Sequence, residues 1–301
     1  MDILDSIKNS IESNNNLDNM TKSKLFELII IFHNKFPDIK LDKFNELSKT
    51  VKLGRIGKYE AIGTSFYDVK TNEMLISPNR VENIDYNLDN IFMRMVLSMI
   101  TSTGEYYGFN SSPDLRVLNN AYEEILANYI VGSSEVSDQE EEMVITNILA
   151  NIINKDKIFE AYFSNNGNIL INELKKIGDD QDIIDLIKNL NHFSEAKQTG
   201  SIHNNEYASI LSKENILVQK AEANKMINPD TLTDIYALYP NSNVGYNDSI
   251  NHNGLEVPKN QLKDFMVKCG INIDNYQPTN ISVMQKWKHK VFFFLSLYLH
   301  F

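Results

Sequence analysis

The sequence contains almost no cysteine. Cys269 is the single cysteine in 301 residues. One thiol cannot form an internal disulfide or supply a cluster of thiolate zinc ligands, so cysteine chemistry does not organise this chain. We interpret Cys269 as a buried free thiol, and the cysteine content does not indicate an oxidising compartment.

Positive charge is also scarce. The chain has 29 lysines and arginines against 40 aspartates and glutamates, which gives a formal net charge of −11. A surface that binds nucleic acid needs clustered lysine and arginine in excess, because it must neutralise phosphates. The charge balance therefore predicts no nucleic-acid partner.

Long apolar stretches are missing too. The amino terminus, MDILDSIKNSIESNNN, is acidic and polar, whereas a secretory signal peptide has a basic start followed by an apolar segment. The longest apolar run, VFFFLSLYLHF at residues 291–301, is shorter than the roughly 20 residues that a membrane-spanning helix needs. These features predict a cytoplasmic protein.

The C-terminal tail, KWKHKVFFFLSLYLHF, joins basic residues to an apolar end. Such a segment is typical of a peptide that lies in the interface layer of a membrane, so we expect membrane contact through the tail as one outcome. A buried terminal helix or strand is the alternative. Three consecutive phenylalanines, Phe292, Phe293 and Phe294, would point all round a helix. They therefore need to be covered, either by a membrane or by the rest of the protein.

What the sequence does have is helical periodicity over most of its length. Apolar residues recur at three- and four-residue spacing. The predicted helices cover residues 3–11, 23–36, 41–48, 88–103, 115–131, two within 134–163, 170–178, 182–190, 210–225, 232–238 and 260–268. The polar residues 192–206 predict a linker, and the Asn-rich residues 241–253 predict a loop.

The periodicity changes once, between residues 58 and 78. The segments KYEAIGTSFYDV and MLISP alternate like strands, and the turn-like KTNE lies between them. We therefore predict a mainly helical α+β fold in three parts. These are a helical N-terminal segment at 1–50, a core at 51–195 with a small β-hairpin or sheet packed on helices, and a helical C-terminal region with the apolar tail at 196–301.

Two neighbouring predicted helices carry a recognisable set of residues. The first contains RMVLSMITST, the loop after it ends in GF, and the second contains LNNAYEEIL. With the strand pair before them and KDKIFEAYF and LINELKKI after them, these segments resemble a zinc metallopeptidase-like family, of the zincin or gluzincin type, from low-GC Gram-positive bacteria. The resemblance spans roughly residues 50–195 and implies a zincin-like core. The residues that carry it are Met99, Gly108, Phe109, Leu118, Asn119, Tyr122 and Glu124.

The same resemblance implies where a metal site would lie, and the residues there are replaced. In such proteins the first helix has a His-Glu-x-x-His motif and the second has a glutamate as third ligand. The histidine positions fall on Arg94 and Ser98, the general-base glutamate on Met95, and the third ligand on Asn120. A guanidinium stays protonated and has no lone pair to donate, and a thioether cannot take a proton from water. We therefore predict no metal, no cofactor and no catalytic residue.

Arg94 needs a partner if it is buried. The second helix offers Glu123 and Glu124, with Tyr122 beside them, about one turn after Asn120. The prediction is that Arg94 pairs with Glu124 and holds the two helices together where relatives use zinc. A solvated arginine is the alternative.

Other candidate sites lack the spacing that their chemistry requires. Glu105, Tyr106 and Tyr107, on the loop between the two helices, are candidates to line a leftover cleft or are simply surface residues. The run DQEEEM lacks the alternating oxygen ligands of a calcium loop, and no Gly-x-Ser-x-Gly turn is present. The six histidines, which lack metal-ligand spacing, are His33, His192, His203, His252, His289 and His300.

Together these observations predict a pseudoenzyme, a catalytically inactive metallopeptidase-like protein that acts by binding a peptide, protein or ligand. Two alternatives stay open. One is a helical interaction protein without peptidase ancestry, and the other is a hydrolase that uses an unrecognised site.

Overall fold

The computed structural model describes residues 2–56, 65–76, 88–109, 115–132, 140–199 and 206–227, with Leu232, Ile235 and two short strands beyond them. Ten helices and five strands lie in this part of the chain, which confirms the mainly helical α+β class. The helices are α1 Ile3–Ser13, α2 Asn19–Lys35, α3 Asp42–Ser48, α4 Leu88–Ile100, α5 Arg116–Val131, α6 Glu140–Ile153, α7 Lys155–Phe163, α8 Gly167–Lys175, α9 Asp180–Thr199 and α10 Glu206–Ala223. The strands are β1 Lys52–Arg55, β2 Phe66–Asp68, β3 Glu73–Ile76, β4 Ser249–His252 and β5 Leu255–Pro258.

The predicted hairpin is confirmed at β2 and β3, which pair antiparallel. The turn between them is held by Asp68, whose side chain accepts hydrogen bonds from the backbone of Lys70 and the hydroxyl of Thr71, each at 2.9 Å. β1 adds to the other edge of β3 in parallel, giving the order β1-β3-β2. The sequence did not predict β1, because its four residues, KLGR, are charged at both ends and include a glycine.

Several helix boundaries differ from the predictions for local reasons. α2 begins at Asn19 rather than at residue 23, because the Asp18 side chain accepts a 2.8 Å hydrogen bond from the backbone of Thr21 and caps the helix. The predicted linker is wrong for residues 192–199, which continue α9 and bury Phe193 and Ala196.

The C-terminal third is described only in part. Residues 249–252 form β4, paired antiparallel with β5, where the sequence predicted a loop. Leu232 and Ile235 are helical, but the rest of the predicted helix 232–238, the predicted helix 260–268, Cys269 and the apolar tail lie outside the described residues. Within the described residues, no helix has both the length and the apolar character needed to cross a bilayer.

Contacts divide the chain into two compact units. The first comprises Met1–Leu115, Asn119–Val136 and Phe159–Gly167, and the second comprises Arg116–Leu118, Ser137–Ile158 and Asn168–Phe301. The three-part division at residues 50 and 195 stays a prediction. The candidate metal-site positions all belong to the first unit.

The first unit buries α4 on nearly every side. α2 and α3 both pack against it, and every residue from Asn90 to Ser102 is buried. An aromatic cluster of Phe32, Phe36 and Phe163 packs nearby in the same unit, with ring centroids 5.4 to 6.3 Å apart. A helix that is buried all round is normally apolar throughout, so the polar residues of α4 need partners.

Candidate functional site

The polar residues of α4 lie on one face and meet polar residues of α5. On α4 they recur at intervals of four, which places them one above the other along the helix. We call this contact the polar seam, and it consists of Asn90, Arg94 and Ser98 from α4 with Glu123, Glu124 and Asn128 from α5. At one end the side-chain amide of Asn90 donates a short hydrogen bond to that of Asn128.

Arg94 lies between two carboxylates at the middle of the polar seam. Its Nη1 is 3.7 Å from Oε2 of Glu124, and its Nε is 3.9 Å from Oε2 of Glu123. Arg94 is only 8% exposed, and the two glutamates are 3% exposed each, so the arginine is not a solvated side chain. The structure thus brings Arg94 to the predicted Glu124 and to Glu123 as well.

The contacts of Arg94 are electrostatic rather than directional. Both distances exceed the range of 2.7–3.2 Å that is usual for N–H···O hydrogen bonds. Within the described residues, neither Nε of Arg94 nor Oε2 of Glu124 has a hydrogen-bond partner. The attraction is still large, because Coulomb energy grows as the surroundings become less polar.

The other carboxylate oxygen of Glu123 accepts hydrogen bonds from two hydroxyl groups. Ser98 donates a short hydrogen bond to Oε1, and the Tyr162 hydroxyl of α7 donates to the same atom at 3.2 Å. Ser98 is 2% exposed, and its hydroxyl also lies 3.1 Å from the backbone oxygen of Arg94. Ser98, at the predicted second histidine position, therefore serves Glu123 as a hydrogen-bond donor.

Burial and charge oppose each other at Glu123 and Arg94. Burial raises the pKa of Glu123 to about 7, although Arg94 and the hydroxyls of Ser98 and Tyr162 pull it down. Burial also disfavours the Arg94 cation, but attraction to Glu124 and then Glu123 outweighs it, and the pKa of Arg94 is raised. The guanidinium therefore stays charged, whereas Glu123 changes its protonation near neutral pH.

Asn120, at the predicted third-ligand position, accepts a hydrogen bond from a tyrosine. The Tyr107 hydroxyl donates to Oδ1 of Asn120 at 3.2 Å, and burial raises the pKa of this phenol, so it stays neutral. Tyr107 thus contacts the site through its hydroxyl, whereas Glu105 of the same loop is exposed. Tyr106 and Tyr107 are both half-buried.

Met95 and Tyr122 belong to the apolar core beside the polar seam. Met95 is fully buried among apolar residues. The ring of Tyr122 packs on Phe109 and Tyr162, with centroids 5.8 and 5.4 Å away. Tyr122 therefore supports the site by packing, while the ion pair is formed by the two glutamates that follow it.

Gly108 lets the loop after α4 approach the site closely. Its φ of +56° favours glycine, and an added Cβ would clash with Oδ1 of Asn119 and the ring of Tyr162. Its backbone N–H donates to the Thr101 hydroxyl at 2.9 Å, and the next N–H, of Phe109, donates to Asn119 at 2.9 Å. These contacts fix the loop that carries Tyr107.

Replacing Gly108 with alanine is expected to destabilise the fold by about 2–4 kcal/mol, because backbone strain and overpacking add. Gly104→Ala is the matched control. Gly104 also has a positive φ, of +93°, but nothing lies within 4 Å of an added Cβ, so only the strain of roughly 1 kcal/mol remains. Chemical denaturation of both variants measures the difference, and equal losses would show that the close approach is not important.

The residues at this site do not fit a bound metal ion. A guanidinium lies at the predicted first ligand position and would repel a cation, and the thioether at the predicted general-base position belongs to the buried Met95. Within the described residues, no group of three or more His, Cys, Asp or Glu side chains is placed to hold a metal. What the arrangement can do chemically is hold charge and, at Glu123, exchange a proton.

Sequence reasoning missed part of the polar seam although a signal was present. Asn90, Arg94 and Ser98 are spaced by four in an otherwise apolar helix, and Glu124 and Asn128 repeat that spacing on α5. Tyr162 had no such signal, because its contact with Glu123 joins residues 39 apart in the chain.

Comparison with models of known protein families, with curated proteins and with solved structures found no match to this chain.

Proposed function

We propose that this chain is a catalytically inactive metallopeptidase-like protein with a zincin-like core, which acts in the cytoplasm by binding a peptide, protein or ligand. One observation carries the proposal. Arg94 occupies a position where such a peptidase has a zinc-binding histidine, and its guanidinium lies 3.7 Å and 3.9 Å from two buried carboxylates. A positive charge thus stands where relatives hold a metal ion.

Two chemical requirements of metal-assisted hydrolysis fail together at this site. A zinc ion needs lone pairs from at least three protein ligands. Arg94 has no lone pair to donate, and Ser98 has a hydroxyl group where the family has an imidazole. The attacking water needs a base, and Met95 cannot accept a proton. The charge of the site is instead balanced internally, so a binding role is the activity that it permits.

A hydrolase that uses Ser98 as nucleophile is the second candidate. A serine that donates to a carboxylate with a pKa of about 7 is a nucleophile next to a general base. Against it, Ser98 and Glu123 are 2% and 3% exposed, so a substrate carbonyl has no approach to the hydroxyl in this arrangement. The serine hydrolase is therefore less well supported than a catalytically inactive chain.

A mixed peptide library tests both candidates on the same purified protein. We expect mass spectrometry to find intact peptides retained by the immobilised chain and no new peptide termini. New termini that disappear in Ser98→Ala would establish the serine hydrolase instead. If the peptides are neither retained nor cleaved, the peptide-binding form of the proposal is contradicted.

Restoring the four replaced residues tests the zincin-like core itself. The variant Arg94→His, Met95→Glu, Ser98→His, Asn120→Glu is expected to bind about one zinc ion per chain, because two histidines at i and i+4 and a glutamate on the next helix complete a three-ligand site. The control keeps Asn120 and should bind zinc at least about tenfold more weakly. A folded variant that binds no zinc would contradict the zincin-like arrangement.

A further inference from the structure

The buried face of α10, in the second unit, carries one carboxylic acid among apolar side chains. Glu214 lies near the middle of this helix and is 0% exposed. Its neighbours one turn away are Ile210, Leu211, Leu217 and Val218, and all four are buried. Spacing of three and four residues places them around Glu214 on one helical face.

Glu214 has no group that would stabilise its charge. Within the described residues, neither carboxyl oxygen has a hydrogen-bond partner. Burial raises the pKa of Glu214 well above its ordinary value, and no neighbouring charge contributes. A buried, unpaired carboxylate is far more costly than the neutral acid, so this packing accommodates the protonated form.

Within the described residues, no charged side chain on the helices around Glu214 contributes to the shift of its pKa. α9 and α6 pack against α10. Two aspartates of α9 contact lysines of α10 at its partly exposed edge. Asp185 lies 3.5 Å from Lys213, and Asp182 pairs with Lys220. The titratable residues of these two helices are Glu140, Glu141, Glu142, Asp180, Asp182, Asp185, Lys188, His192, Glu195 and Lys197.

The largest charged cluster on these helices is closed on itself. Lys197 of α9 lies 2.6 Å from Glu141 and 3.0 Å from Glu142 of α6, and all three side chains are at most 10% exposed. Lys197 is therefore fully used by two carboxylates and leaves no cation for Glu214.

We propose that Glu214 makes the packing of α10 against α9 and α6 a pH-sensitive latch, closed while the side chain is a neutral acid and released when it ionises. In the release step the O–H bond of the carboxylic acid breaks and the proton passes to hydroxide or water. The carboxylate then needs hydration, which it obtains only when the face of α10 opens. The latch responds to rising pH, because the folded state binds the proton more tightly than the open state does.

Hydrogen–deuterium exchange of the full chain tests the latch. After correction for intrinsic exchange, amide protection of α10 in the unchanged chain is expected to fall relative to that of α10 in Glu214→Gln, by roughly tenfold per pH unit from pH 6 until Glu214 is ionised. Glu214→Gln should lack the part of the pH dependence that comes from Glu214, because the amide does not titrate. Glu222→Gln is the matched control, since Glu222 is exposed on the same helix and its loss should leave the fall unchanged.

Two exchange results would overturn the latch. One is α10 protection in the unchanged chain that does not fall with pH, and the other is a fall in Glu214→Gln equal to that of the unchanged chain. If Glu214→Gln does not fold, Glu214→Met replaces it, because an apolar side chain suits the same surroundings. The infrared band of a protonated carboxyl group provides a direct readout when it is taken as the difference between the unchanged chain and Glu214→Gln, because the band of Glu123 cancels in that difference. The loss of this difference band in step with α10 protection supports the latch, and its absence at pH 6 contradicts it.

Discussion

Replacing Arg94 with methionine is expected to lower the free energy of unfolding by about 3–5 kcal/mol, because it leaves buried carboxylates without their cation. Glu123 and Glu124 have no other cation within ion-pair distance in the described part of the chain. Urea denaturation followed by circular dichroism measures the loss. A loss below roughly 1 kcal/mol would show that the guanidinium does not hold α4 to α5.

Arg116→Met is the matched control for burial. Arg116 lies 3.0 Å from Glu195, closer than Arg94 lies to its partners, but this pair is 54% and 63% exposed. Exposed pairs contribute at most about 1 kcal/mol, so the shorter contact should matter less. A triple variant that adds Glu123→Gln and Glu124→Gln to Arg94→Met removes all three charges and should recover part of the loss.

The stability of the chain is expected to fall between about pH 4.5 and pH 7 because of Glu123. Its pKa rises from an ordinary value of 4.5 to about 7 in the fold. Below pH 4.5 the folded and unfolded states both hold the proton, so the stabilisation is complete. Between the two values only the folded state holds it, and about 3 kcal/mol is lost as the pH rises, with no further loss from Glu123 above pH 7.

The difference between the unchanged chain and Glu123→Gln isolates this effect. Glutamine keeps an oxygen that accepts from Ser98 and Tyr162 but does not titrate over this range. The variant should therefore lack the part of the pH dependence that lies between pH 4.5 and pH 7, while contributions from other carboxyl groups cancel in the difference. Parallel curves for the two proteins would mean that Glu123 is not the proton-binding group.

Local patterns predicted the elements whose signals lie within a few residues. The hairpin follows from alternating residues around the turn that Asp68 closes, and α4 and α5 follow from apolar spacing. β1 was missed because parallel pairing with β3 is a nonlocal contact that leaves little trace in four residues. The linker prediction was wrong at 192–199 because this segment has only two apolar residues, Phe193 and Ala196, so its helical spacing is hard to recognise. Both residues are buried by the helix.

In the candidate site, too, sequence spacing predicted some contacts, whereas others depend on tertiary packing. Residues at i and i+4 share a helical face, so the sequence could place Arg94 opposite Glu124 once both helices were assigned. The position of Glu123 beside Arg94 depends on tertiary packing. The hydroxyl groups that donate hydrogen bonds to Glu123 depend on it too. Tyr162 comes from α7, and no spacing rule connects it to α4 or α5.

The polar seam also specifies one register for α4 and α5. Sliding α4 by one turn would move Arg94 away from its carboxylates and Asn90 away from Asn128. Buried polar groups that lose their partners carry a large desolvation cost, which new apolar packing in the shifted register would not offset. On this account the charges specify the helix pair, and zinc chemistry is not needed to hold it.

Titration of the unchanged, purified chain with zinc in a calorimeter tests the central claim most directly. We expect no stoichiometric binding at the polar seam, because Arg94 supplies the positive charge there and the site lacks imidazole and carboxylate ligands in the required number. One tightly bound zinc ion per chain, lost when Ser98 or Glu123 is replaced by alanine, would contradict it.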